Sequence, residues 1–216
     1  MRRWPAKQSW STVWPLAGQT VLEHSLGRLL AHPCITGAVL VLAPDDERWA
    51  ALGFQTSKPL LLATGGALRA ESVVSGLQLL QSVEPSCDWV LVHDGARPCV
   101  SNSDIERLIS AGQRSANGAI LATPLVDTLK RVEQQMIQQT LPRNGLYCAQ
   151  TPQMFRPAQL LAALAAAGVD VTDEASAMEQ SGLAPQVVTG SATNIKVTVP
   201  ADLLLATALL ESGACE

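Results

Sequence analysis

An α/β fold with a doubly wound, mostly parallel sheet is predicted, and three observations carry it. Val39 to Ala43 (VLVLA) and Trp89 to His93 (WVLVH) are short apolar runs containing β-branched residues, the pattern of strands buried on both faces of a parallel sheet. Each follows a segment with helical apolar spacing. The same alternation resumes toward the chain end, where helical patterns at 157–167 and 173–181 precede the strand-like PQVVTG at 185–190 and a helix over 200–211.

The elements follow in order. Residues 20–31 (TVLEHSLGRLLA) put Val21, Leu22, Ser25, Leu26, Leu29 and Leu30 on one helical face, and 70–81 (AESVVSGLQLLQ) do the same with Val73, Val74, Leu77 and Leu80. A helix over 102–113 is expected to start from Asn102 or Ser103 as its cap, with the strand GAILATPL at 118–125 after it. Residues 122–147 break the rhythm. Period-two stretches at Val126–Val132 and Met136–Leu141, separated by Glu133-Gln134-Gln135, predict a hairpin with no helix beside it. An isolated two-stranded ribbon is marginal in water, so this arm is expected to lean on a second copy of the chain. The expected organisation is one domain over 1–216 with 122–147 as a dimerisation arm.

At 216 residues the chain is long enough for a substantial core, and 47% hydrophobic against 16% charged residues excludes general disorder. Nineteen acidic and 15 basic residues give a net charge of −4, which argues against a protein that coats nucleic acid or anionic membrane. The longest apolar helical candidate, LLAALAAAGV at 160–169, is too short to span a bilayer. The start MRRWPAKQ leads into no apolar stretch of a secretory signal, so a cytoplasmic location is expected. Cys34, Cys87, Cys99, Cys148 and Cys215 are odd in number and never paired as CxxC, which indicates neither a disulfide framework nor a zinc site.

Two segments could carry chemistry. Thr64-Gly65-Gly66-Ala67-Leu68-Arg69, running toward Ser72, offers close backbone approach, free N–H groups at a helix start and a fixed cation; a plain strand-to-helix turn reads the same way, and the Lys-Ser/Thr ending of a Walker loop is absent. His93-Asp94-Gly95-Ala96-Arg97-Pro98 follows an apolar strand directly. A carboxylate there can hold a metal or a ribose hydroxyl, and Arg97 can take a phosphate bidentately. Lys130, Arg131, Arg143 and Lys196 lie near loops or strand ends, where each alone reads as solvated surface and only convergence would make a site. Thr172-Asp173-Glu174 reads as helix-start chemistry, with Thr172 as cap and the two acids favouring the positive end of the helix dipole. His24, His32 and His93 show no metal-ligand spacing.

TVLEHSL at 20–26, GGALRAESVVSGL at 65–77, VLVHDGARP at 90–98, DTLKR at 127–131, RNGLYCAQTPQMF at 143–155, TDEASAMEQSG at 172–182 and NIKVT at 194–198 together closely resemble the 2-C-methyl-D-erythritol 4-phosphate cytidylyltransferase family. The resemblance covers roughly residues 15–212. It implies a Rossmann-like nucleotidyltransferase that joins CTP to the sugar-alcohol phosphate with Mg²⁺ and releases pyrophosphate, in non-mevalonate isoprenoid synthesis. It also implies a homodimer whose arm, here 122–147, crosses to the partner. By that resemblance Gly66, Arg69, Ala70 and Ser72, with Asp94 and Gly95, bind the nucleotide. Arg97, Thr128, Arg143, Thr151 and Thr172 bind the sugar phosphate, while Lys196, Arg97, Asp94 and Lys7 are catalytic and Asp94 is the metal ligand.

The chain departs from the family at its start. The family opens with a strand and a glycine-rich PAAGxGxR loop around the triphosphate, and residues 1–14 (MRRWPAKQSWSTVW) supply neither. Pro5, Lys7 and Gln8 are the nearest match to the PKQ segment that follows that loop in the family. A sheet without its first strand is therefore expected, and with it weak CTP binding and slow turnover. Two alternatives stand beside the leading reading: a cytidylyltransferase for another polyol phosphate such as ribitol 5-phosphate, and a catalytically silent subunit of the dimer.

Overall fold

In the computed structural model, which describes residues 12–168 and 171–215, a short hairpin of β1 (Pro15–Leu16) and β2 (Gln19–Thr20) leads into α1 (Val21–Ala31). Thr20 opens that helix with a capping box: its Oγ1 accepts from the Glu23 N–H and the Glu23 carboxylate accepts from the Thr20 N–H. Then come β3 (Ala38–Leu42), α2 (Arg48–Leu52), β4 (Leu60–Thr64), α3 (Arg69–Val83), β5 (Val90–Val92), α4 (Asn102–Arg114) and β6 (Ala119–Pro124). The arm follows as β7 (Leu129–Glu133) and β8 (Met136–Leu141), and the chain closes with β9 (Tyr147–Phe155), α5 (Pro157–Ala166), α6 (Glu174–Gln180), β10 (Gln186–Thr189) and α7 (Pro200–Glu211).

Two caps differ from the sequence expectation. Helix α4 starts from Ser101, whose hydroxyl accepts from the Asp104 N–H, rather than from Asn102 or Ser103. Helix α6 starts from Asp173, whose Oδ1 accepts from the Ser176 N–H, rather than from Thr172. In both, the residue one step earlier or later has the extended backbone that a cap requires.

The α/β class holds, with a sheet that is mixed. Pairings β3 with β4 and β10 with β6 are parallel, whereas β9 runs antiparallel to both β5 and β6. The central sheet has the order β10-β6-β9-β5, and β3-β4 form a separate pair. Among the described residues, β3 and β5 each keep one unpaired edge.

The core lies on both faces of the four-stranded sheet. Ile120 and Phe155 pack with Leu77, Leu160 and Met178 beneath α3, α5 and α6. Ala119, Leu121 and Met154 face the other way, onto Ile105, Leu108 and Ile109 of α4, as the two-residue period of a strand demands. Helix α3 ties the two sheets together, packing on β3 and β4 as well as α5. Gly76 allows this, because a Cβ there would stand 2.9 Å from Val41 Cγ2. The expected burial of VLVLA on both faces is not met: every residue of β3 is only half-buried, since no described strand covers its second edge.

The arm is present. Strands β7 and β8 pair antiparallel around Gln134 and Gln135, both with positive φ, and β6 and β9 carry its root as far as Pro124 opposite Tyr147. Its apolar residues Val132, Met136 and Ile137 are exposed. No helix among the described residues is long and apolar enough to cross a membrane.

Candidate functional site

The site is built where β5 ends and the polypeptide turns at Asp94. The Arg97 N–H donates to the Asp94 carbonyl to close the turn, Ser25 Oγ donates to the Gly95 carbonyl, and the Val197 N–H donates to the Ala96 carbonyl. The loop is thereby fixed from α1 on one side and from the 194–198 segment on the other. Gly95 packs on α1, where a Cβ would stand 3.0 Å from Leu22 Cδ1, the movable end of a side chain.

Beneath the loop lies an irregularity in β9. Ile120 pairs with Gln153 but Ala122 pairs with Ala149, so the two-residue step in β6 is matched by a four-residue step in β9. The excess residues bulge out of the ladder and carry Thr151, whose Oγ1 accepts from the Asp94 N–H at 3.0 Å and lies 3.2 Å from His93 Nδ1. The Arg97 carbonyl, 3.2 Å from His93 Nε2, can only accept, so Nε2 carries the proton of the neutral ring and Nδ1 accepts from the Thr151 hydroxyl. Burial pushes the His93 imidazole down to about 4, so it is neutral here and acts as a strut of the loop.

Cations from three distant stretches converge on Asp94. Lys196 Nζ lies 2.9 Å and Arg97 Nε 3.7 Å from Oδ2, and Arg69 Nη2 lies 3.3 Å from Oδ1. Burial raises the Asp94 carboxyl, but Lys196, Arg69 and Arg97 outweigh it and hold the group below the ordinary aspartate value. Arg97 is braced by donating from Nη1 to the Asn194 carbonyl at 2.7 Å, and Asn194 donates from Nδ2 to the Thr151 carbonyl. The Arg97 Nε–H is buried, makes no hydrogen bond and faces Asp94 Oδ2 at 3.7 Å.

Arg69 is the first residue of α3, and its guanidinium also grips Glu174 through Nη1 at 2.5 Å and Nη2 at 2.9 Å. Just before it, the Gly66 N–H donates to Ser72 Oγ, and Ser72 Oγ donates to the Leu68 carbonyl. A Cβ on Gly65 would fall 2.7 Å from Ser72 Oγ, and one on Gly66 would strike Glu71. Glycine is required there for the loop to fold back on its helix. Arg69, Asp94, Arg97, Thr151, Thr172 and Lys196 all line a cleft of about 230 Å³. A larger groove of about 550 Å³ runs between α4 and β10, but its arginines are already engaged, Arg107 by Asp104 and Arg114 by Ser110.

Among the residues singled out from the sequence, Arg69, Asp94, Arg97, Thr151, Thr172 and Lys196 come together, with Gly66 and Gly95 on the adjoining loops and Ala70 and Ser72 in the first turn of α3. Thr128 and Arg143 sit in the arm, where Arg143 bonds the Val126 carbonyl, and neither lines the cleft of its own chain. Lys7 lies outside the described residues. Glu174 stands in the first turn of α6 as expected, and it is in addition 1% exposed and turned onto Arg69. His93, Gln153 and Asn194 were unassigned by sequence reasoning because buried polar struts leave no periodic signal.

The donor set bears on a metal. Among the described residues no group of three His, Cys, Asp or Glu side chains is placed to hold one. Asp94 is the carboxylate on which Arg69, Arg97 and Lys196 converge, and Asp173 also lines the cleft. Mg²⁺ typically takes one or two carboxylates and completes its shell with phosphate oxygens and water, so this donor set fits it.

Comparison with known proteins agrees with the geometry. The profile of the 2-C-methyl-D-erythritol 4-phosphate cytidylyltransferase family matches residues 7–212. The chain is 48% identical over 193 residues to the enzyme of that name from Vibrio vulnificus, covering 88% of this chain and 81% of that one. It is 50% identical over 190 residues to the one from Stenotrophomonas maltophilia, covering 86% and 82%. Among solved structures, a 4-diphosphocytidyl-2C-methyl-D-erythritol synthase superposes with TM-score 0.86 at 38% identity, covering 93% of this chain and 94% of the other. The cytidylyltransferase from Francisella tularensis does so with TM-score 0.80 at 32% identity, covering 92% of each.

Proposed function

The chain belongs to the 2-C-methyl-D-erythritol 4-phosphate cytidylyltransferase family, and we propose that its reaction takes place over Asp94, between the Arg69 wall and the Arg97–Lys196 wall of the cleft. The enzyme is a nucleotidyltransferase: it joins CTP to 2-C-methyl-D-erythritol 4-phosphate and releases pyrophosphate. The observation that carries the assignment of the site is the convergence of Arg69, Arg97 and Lys196 on one carboxylate.

A phosphate monoester near neutral pH is largely dianionic, its second pKa being about 6. Its oxygen attacks the α-phosphorus of CTP directly and the β-phosphate oxygen leaves with the bonding pair. No side chain has to remove a proton, so catalysis reduces to orientation and neutralisation of crowded negative charge. Lys196 and Arg97 face the reacting phosphates, both already drawn to Asp94. Arg69, with the backbone of Gly66 and the segment Ala70 to Ser72, holds the nucleotide. Asp94 is the residue that would hold Mg²⁺, whose contribution when bound is to neutralise the triphosphate.

Thr172 lines the cleft, where it would meet the sugar phosphate. The Thr151 hydroxyl is committed to His93 and Asp94, so Thr151 serves that end by setting the loop. Thr128 and Arg143 would reach the sugar phosphate of the partner subunit through the 122–147 arm, whose exposed Val132, Met136 and Ile137 would be covered in a homodimer.

Pyrophosphate release with the methylerythritol phosphate, with ribitol 5-phosphate as the competing acceptor, tests the assignment. Lys196→Ala is expected to lower kcat by about a hundredfold or more, as loss of one charge-stabilising donor does. Unchanged turnover in that variant would refute the placement of the reaction. Arg143→Ala is expected to raise the Michaelis constant for the sugar phosphate and leave that for CTP nearly untouched.

A further inference from the structure

Glu174 grips Arg69 at the edge of the cleft and has no part in the reaction described above. We propose that Glu174 is the positioning residue that sets the Arg69 guanidinium for the nucleotide, touching no substrate itself; the inference rests on the assignment of Arg69 to CTP above. The helix it begins does not need it, because Asp173 already caps α6 through Oδ1. A carboxylate only 1% exposed is a poor device for stability, since an apolar pair of similar volume commonly does as well.

The grip is bidentate. Oε1 takes Nη1 at 2.5 Å and Oε2 takes Nη2 at 2.9 Å, which fixes the plane of the guanidinium as well as its place. Asp94 could not do this alone, because its single contact to Arg69 is 3.3 Å long and Asp94 is shared with Lys196 and Arg97. Arginine has five N–H donors. Nη1 gives one to Glu174, and Nη2 gives one to Glu174 and one to Asp94, so Nε–H and one Nη1 hydrogen remain to meet a ligand.

Glu174 is itself held. Gln153, 1% exposed in β9, donates from Nε2 to Asp173 Oδ2 at 2.8 Å and accepts on Oε1 from the Ala175 N–H at 3.0 Å, one residue to either side of Glu174. Arg69 rises from the helix that packs over the β3–β4 pair, yet its orientation is referred through Glu174 and Gln153 to the central sheet. That polar path joins the nucleotide loop to the frame on which Asp94 and Arg97 stand.

The test is a cycle of Glu174→Gln, Arg69→Ala and the double variant, each read by CTP affinity with Mg²⁺, by the Michaelis constants for both substrates, by kcat and by melting temperature. Glu174→Gln is expected to weaken CTP about tenfold, with kcat at saturation and the sugar-phosphate constant within about threefold of the parent. In the Arg69→Ala background the same change is expected to add less than about twofold, because the two residues act as a unit. Glu174→Asp, which keeps the charge, is expected to recover part of the affinity and serves in the cycle if Glu174→Gln does not fold. Additive losses, or a lowered melting temperature with CTP affinity intact, overturn the proposal. CTP affinity unmoved by Arg69→Ala overturns the assignment beneath it, which separates the two failures.

Discussion

The β3–β4 pair and the central sheet are built from equally apolar strands and end up differently buried. AVLVL of β3 is half-buried at every position, whereas Ala119 to Ala122 of β6 are buried throughout. The composition of a strand therefore does not decide its burial; the number of neighbours does. Strand β6 lies between β10 and β9, while β3 has β4 alone among the described residues. The cleft inherits the contrast. Asp94 and Arg97 are fastened to the central sheet through Thr151 and Asn194, and the loop before Arg69 hangs from β4, with the Gly65 N–H bonded to the Leu42 carbonyl.

Substitutions can break this contrast. Phe155→Ala, at a side chain with no exposure in the central sheet, is expected to cost about 3–5 kcal/mol of stability in chemical denaturation. A loss below about 1 kcal/mol would mean that the central sheet is not the denser half.

Acid probes the same half through His93. Its folded pKa of about 4 lies below its ordinary 6.5, so over that interval only the unfolded chain takes up the proton. Its contribution to stability is full above pH 6.5 and drains away as the pH falls toward about 4, by about 3 kcal/mol in all. Melting curves across that interval should be steeper in pH for the parent than for His93→Gln; equal slopes would contradict a desolvated imidazole. Asp94, held low, adds its own loss only below the aspartate range.

A smaller effect is expected on the other side. Leu40→Ala in half-buried β3 should cost only about 1 kcal/mol. Amide hydrogen exchange sharpens the point without any substitution, since β3 and β4 should exchange well before β6 and β9. Matched protection would show that some further contact holds the pair as firmly as its neighbours.

Six of the helices were legible in the sequence, whereas the five-residue α2 (Arg48–Leu52) was not. Val21, Leu22, Ser25, Leu26 and Leu30 are the buried face of α1, as spacing predicts, and the final helix begins at Pro200 and ends at Glu211 as expected. Strand β9 was not legible. It buries Gln150, Thr151 and Gln153, polar residues satisfied by bonds to distant segments, and its Thr-Pro pair reads as a turn. Without it the mixed character of the sheet could not be foreseen, because no periodicity records the direction of a partner. Strand β4 escaped as well, since LLLAT merges with the glycines after it.

At the site, Asp94, Arg97, Arg69 and Lys196 could be named from local motifs and the family resemblance. Their meeting at one carboxylate could not, since it depends on turns 25 to 102 residues apart in sequence, from Arg69 to Asp94 and from Asp94 to Lys196. Glu174 could be read only in part, because an acid in the first turn of a helix is ordinary dipole chemistry, and only tertiary structure reveals that it faces inward.

Strand β9 leaves one mechanical consequence. It enters as the root of the arm at Tyr147, swells at Gln150 to Pro152, and continues into the core to Phe155. The swelling is a knee between a protruding handle and a rigid base, and Thr151 is its kneecap. A twist applied to the handle is delivered there first, and passes to the backbone of Asp94 through the single N–H to Oγ1 bond of 3.0 Å.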